Sequence, residues 1–349
     1  MKAAVLYENM ELKYEDYKNP EISDTDVLIN IKAAGICGSD KARFIGKERL
    51  HHYPSVLGHE FAGVVAETGK NVTTIKIGDR VAGVPILPCH ACAECQLGYF
   101  AQCKNYDFVG VQIQGSYAEY IKIPERNALL LPDGISFAEG ALIEPSTVAL
   151  HGLDLVDYHP GGDVAILGGG TIGLLTLIWA KLFGAHTAVV FDIDGEMLEL
   201  AERFGADAVF NTREDGYFER AWEYTRGSGF SYVFETAGAD EMFKAAFRLA
   251  GNKSRICYIG IPQEKLTYTN DVFFNMFKKE FTLTGVLMSF SAPFPGREWD
   301  LTLKFLRNGR LVFPGELISA TLPLREIGRV QEMLRVPGSV KGKIVLTND

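Results

Sequence analysis

The sequence predicts an α/β chain of two domains, one small and β-rich, the other a doubly wound parallel sheet. Three observations carry this reading. Short apolar runs separated by Gly, Pro and Asp turns fill residues 1–150. Strand-like and helix-like segments then alternate through 151–286. The alternation stops in residues 287–349, which close on another strand-like run, "GKIVLTN".

In the first region "DVLINIKAAGI", "AGVVAET", "DRVAGVPIL" and "AEYIKIP" read as strands. In the second, "GDVAILGGGTIGLLTLIWAKLFGA" reads as a buried strand, a glycine turn and a long apolar helix, with "HTAVVFDID" as the next strand. "EMLELAERFGA", "YFERAWEYTRG" and "EMFKAAFRLA" follow as helices, separated by the strands "DAVF", "SYVFETAG" and "SRICYIG". The tail is expected to return to the first domain, so that the parallel sheet is inserted within it. With 349 residues and 47% hydrophobic content, the chain can fill two cores.

Charge narrows the function classes. Thirty-five basic against forty-four acidic residues leave a net charge of −9, with no basic run able to track a phosphate backbone, so nucleic acid is not an expected partner. No apolar stretch long enough to cross a bilayer occurs, and "MKAAVLYENMELKYEDY" lacks an apolar leader core. The expectation is a cytoplasmic protein without a membrane partner. In a reducing compartment its six cysteines favour metal binding or catalysis over disulfides. Cys257, alone in "SRICYIG", reads as core.

Four of those cysteines, Cys89, Cys92, Cys95 and Cys103, lie within "PCHACAECQLGYFAQC". This spacing suits four thiolates around one tetrahedral zinc, a closed site with no position left for substrate. His90 falls between two of them and is superfluous to a filled tetrahedron.

"GGGTIG" places Gly168, Gly170 and Gly173 at the G-x-G-x-x-G spacing, after a strand and at the start of a helix that Thr171 and Ile172 open. There the first glycine allows a tight turn, the second admits a pyrophosphate, and the third lets helix pack on strand. Asp192, nineteen residues beyond Gly173, ends the second strand, where it can accept hydrogen bonds from an adenosine ribose. Its charge opposes a 2′-phosphate, so NAD is expected rather than NADP. Its alternative role is a helix N-cap.

"GICGSD" with Cys37 and "LGHEFAGVVAETGKNV" with His59 and Glu60, followed by "GDRV", resemble the signature of zinc-containing alcohol dehydrogenases in the medium-chain dehydrogenase family. The resemblance covers essentially the whole chain. It implies a GroES-like catalytic domain, a Rossmann domain, and two zinc ions per subunit: a structural one on the four-cysteine loop and a catalytic one at Cys37 and His59. The third catalytic ligand departs from the alcohol dehydrogenase pattern, because no cysteine lies between Cys103 and Cys257. Glu144 of "ALIEPSTVALH" stands there instead, as in the polyol dehydrogenase branch. Glu144 and Glu60 can each meet zinc directly or through water; otherwise Glu60 is a supporting carboxylate and Glu144 a helix-start residue ahead of Pro145.

The implied activity is hydride transfer between nicotinamide and a secondary alcohol, with the zinc lowering the hydroxyl's pKa. Ser39 is a candidate proton relay, or else an ordinary turn residue; His51 and His52 read as exposed loop residues. "YPSVLGHEF", "PILPCHAC", "QCKNYDFVG", "IEPSTVALH" and "APFPGREW" are similar to the branch members that convert galactitol 1-phosphate to tagatose 6-phosphate. A phosphorylated substrate needs a cationic anchor. Arg43, Arg49, Arg297, Lys341 and Lys343 are the candidates, although each is most often a solvated surface charge. Sorbitol, xylitol and L-threonine are alternative substrates; a zinc-binding interaction module or a binding protein without turnover are alternatives outside catalysis. Members of the family are generally homodimers or homotetramers, and "FTLTGVLMSF" is a candidate strand for pairing between copies.

Overall fold

A computed structural model describes residues 1–50, 52–262, 265–336 and 338–348; His51 lies outside them. The chain forms two compact units, Met1–Glu144 with Phe290–Asp349, and Pro145–Ser289. The division therefore falls inside the helix Ile143–Leu155.

The second unit is a six-stranded, all-parallel sheet. Its strands are β1 (Asp163–Leu167), β2 (Thr187–Asp192), β3 (Ala208–Asn211), β4 (Phe230–Glu235), β5 (Ala250–Tyr258) and β6 (Thr282–Gly285), in the order β3-β2-β1-β4-β5-β6. The crossovers are α1 (Thr171–Leu182), α2 (Gly195–Arg203), α3 (Tyr217–Tyr224), α4 (Asp240–Leu249) and α5 (Asn270–Lys279). Chain order reverses between β1 and β4, which makes the carboxyl ends of those two strands the place where such a sheet takes a ligand. The central strands are apolar on both faces: Ala165, Leu167, Val189, Phe191, Val233 and Ile256 are buried in one cluster. Cys257 is buried within β5, as its sequence context indicated.

The first unit is β-rich. A seven-stranded sheet centres on Asp26–Gly35, which pairs antiparallel with Glu60–Thr68 on one side and with Lys343–Thr347 on the other. The strand in "GKIVLTN" thus joins the sheet built by the N-terminal part of the chain. Alternation along Asp26–Gly35 puts Val27, Ile29 and Ile31 into the core, where Phe61, Tyr117, Ile121 and Leu346 meet them. A three-stranded sheet built on Lys2–Leu6 shares this core. The tail also supplies helices at Arg297–Arg307 and Ile327–Arg335, and α5 lies where no helix is legible in the sequence. Among the described residues no helix is long and apolar enough to cross a membrane.

Candidate functional site

Cys37 is the N-cap of the helix Gly38–Phe44, and Asp40 at the third helical position reaches back to the Cys37 N–H at 3.2 Å. Glu60 opens its strand directly opposite Gly35. A Cβ at Gly35 would lie 2.2 Å from Glu60 Oε2, so only glycine leaves room for that carboxylate. His59 follows Gly58, whose φ of +93° and contact with Tyr117 require the missing side chain. These local constraints bring the ligand atoms of Cys37, His59 and Glu60 within 4.8 Å of one another.

Glu144, at the start of the helix Ile143–Leu155, is not a member of that tight group, but its carboxyl feels the charges of His59, Glu60, Cys37 and Lys343. Burial pushes it up to about 8, with Glu60 and Cys37 adding to the shift. Burial likewise pushes the Cys37 thiol up to about 11, while a hydrogen bond from Ser39 favours the thiolate. Thiol, imidazole and carboxyl groups gathered in a buried place are a donor set for a divalent cation, which would reverse both shifts.

His59 Nδ1 and Asp40 Oδ1 are both buried without a hydrogen-bond partner, 4.0 Å apart. Asp40 is 0% exposed, and its other oxygen lies 2.5 Å from the Tyr117 hydroxyl. A small shift would let the imidazole donate to this carboxylate, leaving its other nitrogen for a metal. Sequence reasoning missed Asp40, although "CGSD" carries the capping-box spacing that could have marked it. Tyr117, in "GSYAEY", left no such signal.

The four-cysteine loop is equally well matched to zinc. Its cysteines are free, and the Sγ–Sγ separations of 3.5 Å (Cys89–Cys103), 3.8 Å (Cys92–Cys103) and 4.0 Å (Cys89–Cys95) are far too long for disulfides. Ligands about 2.3 Å from a tetrahedral zinc stand roughly 3.8 Å from each other, so these separations suit one shared ion. N–H groups of Ala91 and Cys92 pull the Cys89 thiol down to about 6. His90 packs edge-on against Phe100 and Phe294, so the late "APFP" segment rests on this loop.

In the second unit, Gly168 turns after β1 with φ +110°, and Gly170 caps α1. A Cβ at Gly173 would lie 1.8 Å from the Gly168 carbonyl, which fixes glycine where helix crosses strand. A Cβ at Gly170 would meet nothing within 4 Å, and its φ of −68° is open to any residue. The fold itself therefore does not demand glycine at 170, as expected of a cradle kept clear for a ligand. Thr171 and Ile172 form the partly exposed first turn of α1. Asp192 accepts from the N–H of Gly169 at 2.6 Å and of Asp194 at 2.9 Å. It is not the cap of α2, a role that Asp194 takes.

Residues 23–133 match the model of the alcohol dehydrogenase GroES-like domain, and residues 171–305 that of the zinc-binding dehydrogenases. The galactitol 1-phosphate 5-dehydrogenase of Escherichia coli K12 is 38% identical over 293 residues, 84% of each chain. The chain belongs to the zinc-dependent medium-chain dehydrogenases. Its polyol relatives include the sorbitol dehydrogenase of Bacillus subtilis 168, 35% identical over 76% of each chain. The crystal structure of galactitol-1-phosphate dehydrogenase from Escherichia coli superposes with a TM-score of 0.90 at 34% identity, covering 99% of this chain and 100% of that one.

For this medium-chain dehydrogenase the structure corrects two of the candidate phosphate anchors. Lys343 is no surface charge: it is buried, donating to both Glu60 oxygens at 2.6 Å and to the Ile36 carbonyl. Arg43 is also buried, paired with Glu48 at 2.9 Å and near Asp40 at 3.9 Å. Arg49 is exposed beside Glu8 and Arg297 is exposed at a helix start, while Lys341 is partly exposed. His52 is exposed, as read from the sequence.

Proposed function

We propose that this protein is an NAD-dependent polyol dehydrogenase that oxidises a secondary alcohol of galactitol 1-phosphate to the ketone of tagatose 6-phosphate. The observation that carries the reading is the donor set of Cys37, His59 and Glu60 with Glu144 beside it: one thiolate, one imidazole and carboxylates, in place of a second thiolate. Bound there, zinc supplies Lewis acidity toward the alcohol oxygen, and NAD in the Gly168–Gly173 cradle supplies the hydride acceptor. Cys89, Cys92, Cys95 and Cys103 would hold a second, structural zinc.

The chain's own residues divide the remaining work. Cys37 and His59 would hold the metal, with Asp40 placed to orient the imidazole. Glu60, paired with Lys343, would be a further carboxylate donor beside them. Glu144, buried beside the Cys37–His59 centre, takes or returns the proton that leaves the hydroxyl. Ser39, hydrogen-bonded to Cys37, is a short relay toward solvent. Gly168, Gly170, Thr171, Ile172 and Gly173 seat the pyrophosphate, and Asp192 keeps lone pairs free for the ribose. Arg43 and Lys343 are committed to carboxylates, so neither is offered as the phosphate anchor.

Two copies pair through β6, an edge strand whose Leu283 is 40% exposed and is followed by Leu287 at 65%. The protein works in the cytoplasm on a small molecule. The decisive experiment compares kcat/KM for galactitol 1-phosphate, galactitol, sorbitol and L-threonine. Equal turnover of free and phosphorylated polyol would move the assignment to sorbitol-type chemistry, which the Bacillus subtilis relative supports.

A further inference from the structure

Glu235 ends β4 and has no part in the roles assigned above. It is 0% exposed. Its Oε1 accepts from the N–H of Ala237 at 3.0 Å and of Gly238 at 2.9 Å, folding the carboxylate back over the turn that leaves the strand. Oε2 is buried with no hydrogen-bond partner and is pressed on Gly260, where a Cβ would lie 2.3 Å away.

Among the described residues no cation compensates this carboxylate. The titratable groups on the elements packed around it are the phenols of Tyr258 on β5 and Tyr268 beyond it, with Asp240 and Lys244 on α4. Lys244 is engaged by Asp240 and Glu241. Burial pushes the Glu235 carboxyl up to about 7, although the N–H groups of the turn oppose the shift.

The position matters as much as the isolation. Thr236 donates its N–H to the Leu167 carbonyl and its hydroxyl toward those of Leu167 and Gly168, so the turn after Glu235 lies against the first glycine of the cradle. Asp192 stands on β2, on the opposite side of β1. A dinucleotide whose ribose sits at Asp192 and whose pyrophosphate sits at the glycines must run its nicotinamide half toward the carboxyl end of β4.

On the NAD reading above, we propose that Glu235 sets the preference between the oxidised and reduced dinucleotide: ionised, it favours the cationic ring of NAD⁺, and protonated, it removes the repulsion against NADH. NAD⁺ differs from NADH by one positive charge on that ring. One buried unit charge nearby shifts their relative affinity by roughly tenfold.

The test measures dissociation constants of NADH by fluorescence and of NAD⁺ by competition, from pH 5.5 to 8.5, on the zinc-loaded enzyme without alcohol. The ratio Kd(NADH)/Kd(NAD⁺) should rise roughly tenfold through neutrality in the wild type. In Glu235→Gln, which keeps an acceptor for Ala237 and Gly238, it should stay flat at the low-pH value. A flat wild-type ratio, or a glutamine variant that keeps the wild-type rise, overturns the inference. Should that variant not fold, titration calorimetry of the wild type in two buffers of different ionisation enthalpy decides: near pH 7, NAD⁺ binding must release protons and NADH binding must take them up. Failure to bind either dinucleotide overturns the cofactor reading and this inference together, whereas binding with a pH-independent ratio overturns this inference alone.

Discussion

Lys343 and Glu60 meet over Gly35, the ammonium 2.6 Å from both carboxylate oxygens, across 283 residues of sequence. The pair forms because the strands Glu60–Thr68 and Lys343–Thr347 flank Asp26–Gly35, and Gly35 puts no side chain between them. Burial works against the Lys343 charge, but Glu60, Cys37 and Glu144 outweigh it and raise its pKa. Removing one partner strands the other charge. Lys343→Met should therefore lower stability by about 3–5 kcal/mol in denaturant unfolding. Loss of less than about 1 kcal/mol would mean that Glu60 finds another partner in the variant.

Asp40 predicts a separable effect. Asp40→Asn keeps an oxygen near His59 but removes the charge that orients the ring. Metal affinity at the Cys37–His59 centre should fall by about 10–100-fold, read by chelator competition, while the four-cysteine loop keeps its zinc. Equal loss from both sites would point to general unfolding instead.

The four-cysteine loop predicts the converse. Cys95→Ser should halve the zinc content of the purified protein without touching the donors around His59, because the two sets share no residue. Phe294→Ala removes the ring that meets His90 and Phe100, at about 0.5–1.5 kcal/mol for each aromatic pair. It should speed chelator extraction of this zinc. An unchanged extraction rate would show that the late "APFP" segment leaves the loop's stability unaffected.

Glu235 makes stability fall with pH. Its carboxyl moves from an ordinary 4.5 to about 7 in the folded protein. Between those values the folded state holds a proton that the unfolded state has lost, so stability is greatest below pH 4.5 and falls until pH passes 7. At about 1.4 kcal/mol per pH unit, the full effect is roughly 3 kcal/mol. Glu235→Gln should remove this contribution, making the variant relatively more stable above pH 7. The melting temperatures of the two proteins should draw apart as pH rises and coincide most nearly in acid.

These groups differ in how openly the sequence displays them. The four thiols and the glycine turn are local patterns whose spacing alone restricts the chemistry, and the alternating segments around them outline the parallel sheet. Lys343 could not be linked to Glu60 by pattern, because strand order, not sequence distance, brings them together. The helix α5 escaped notice because Phe273, Phe274 and Phe277 face solvent while Val272 alone is buried, which leaves no inward apolar stripe. Glu235 ends a strand, "FSYVFE", in which nothing marks it as buried, and its isolation shows only when its neighbours on β5 and α4 are in place.

Two glycines of one motif separate fold from binding. Gly173→Ala places a methyl 1.8 Å from the Gly168 carbonyl, so α1 must shift from β1 and the unit must lose stability along with affinity. Gly170→Ala meets open space at a φ any residue adopts, so its melting temperature should stay within about 1–2 °C of the wild type. If a pyrophosphate lies against that backbone, the same methyl must displace it, and NADH affinity should drop by tenfold or more, on the order of 1.4 kcal/mol. Because the variant's fold gives no reason for a loss, weakened binding by Gly170→Ala can come only from the ligand's approach. Wild-type affinity in that protein would remove the glycine cradle as the pyrophosphate site.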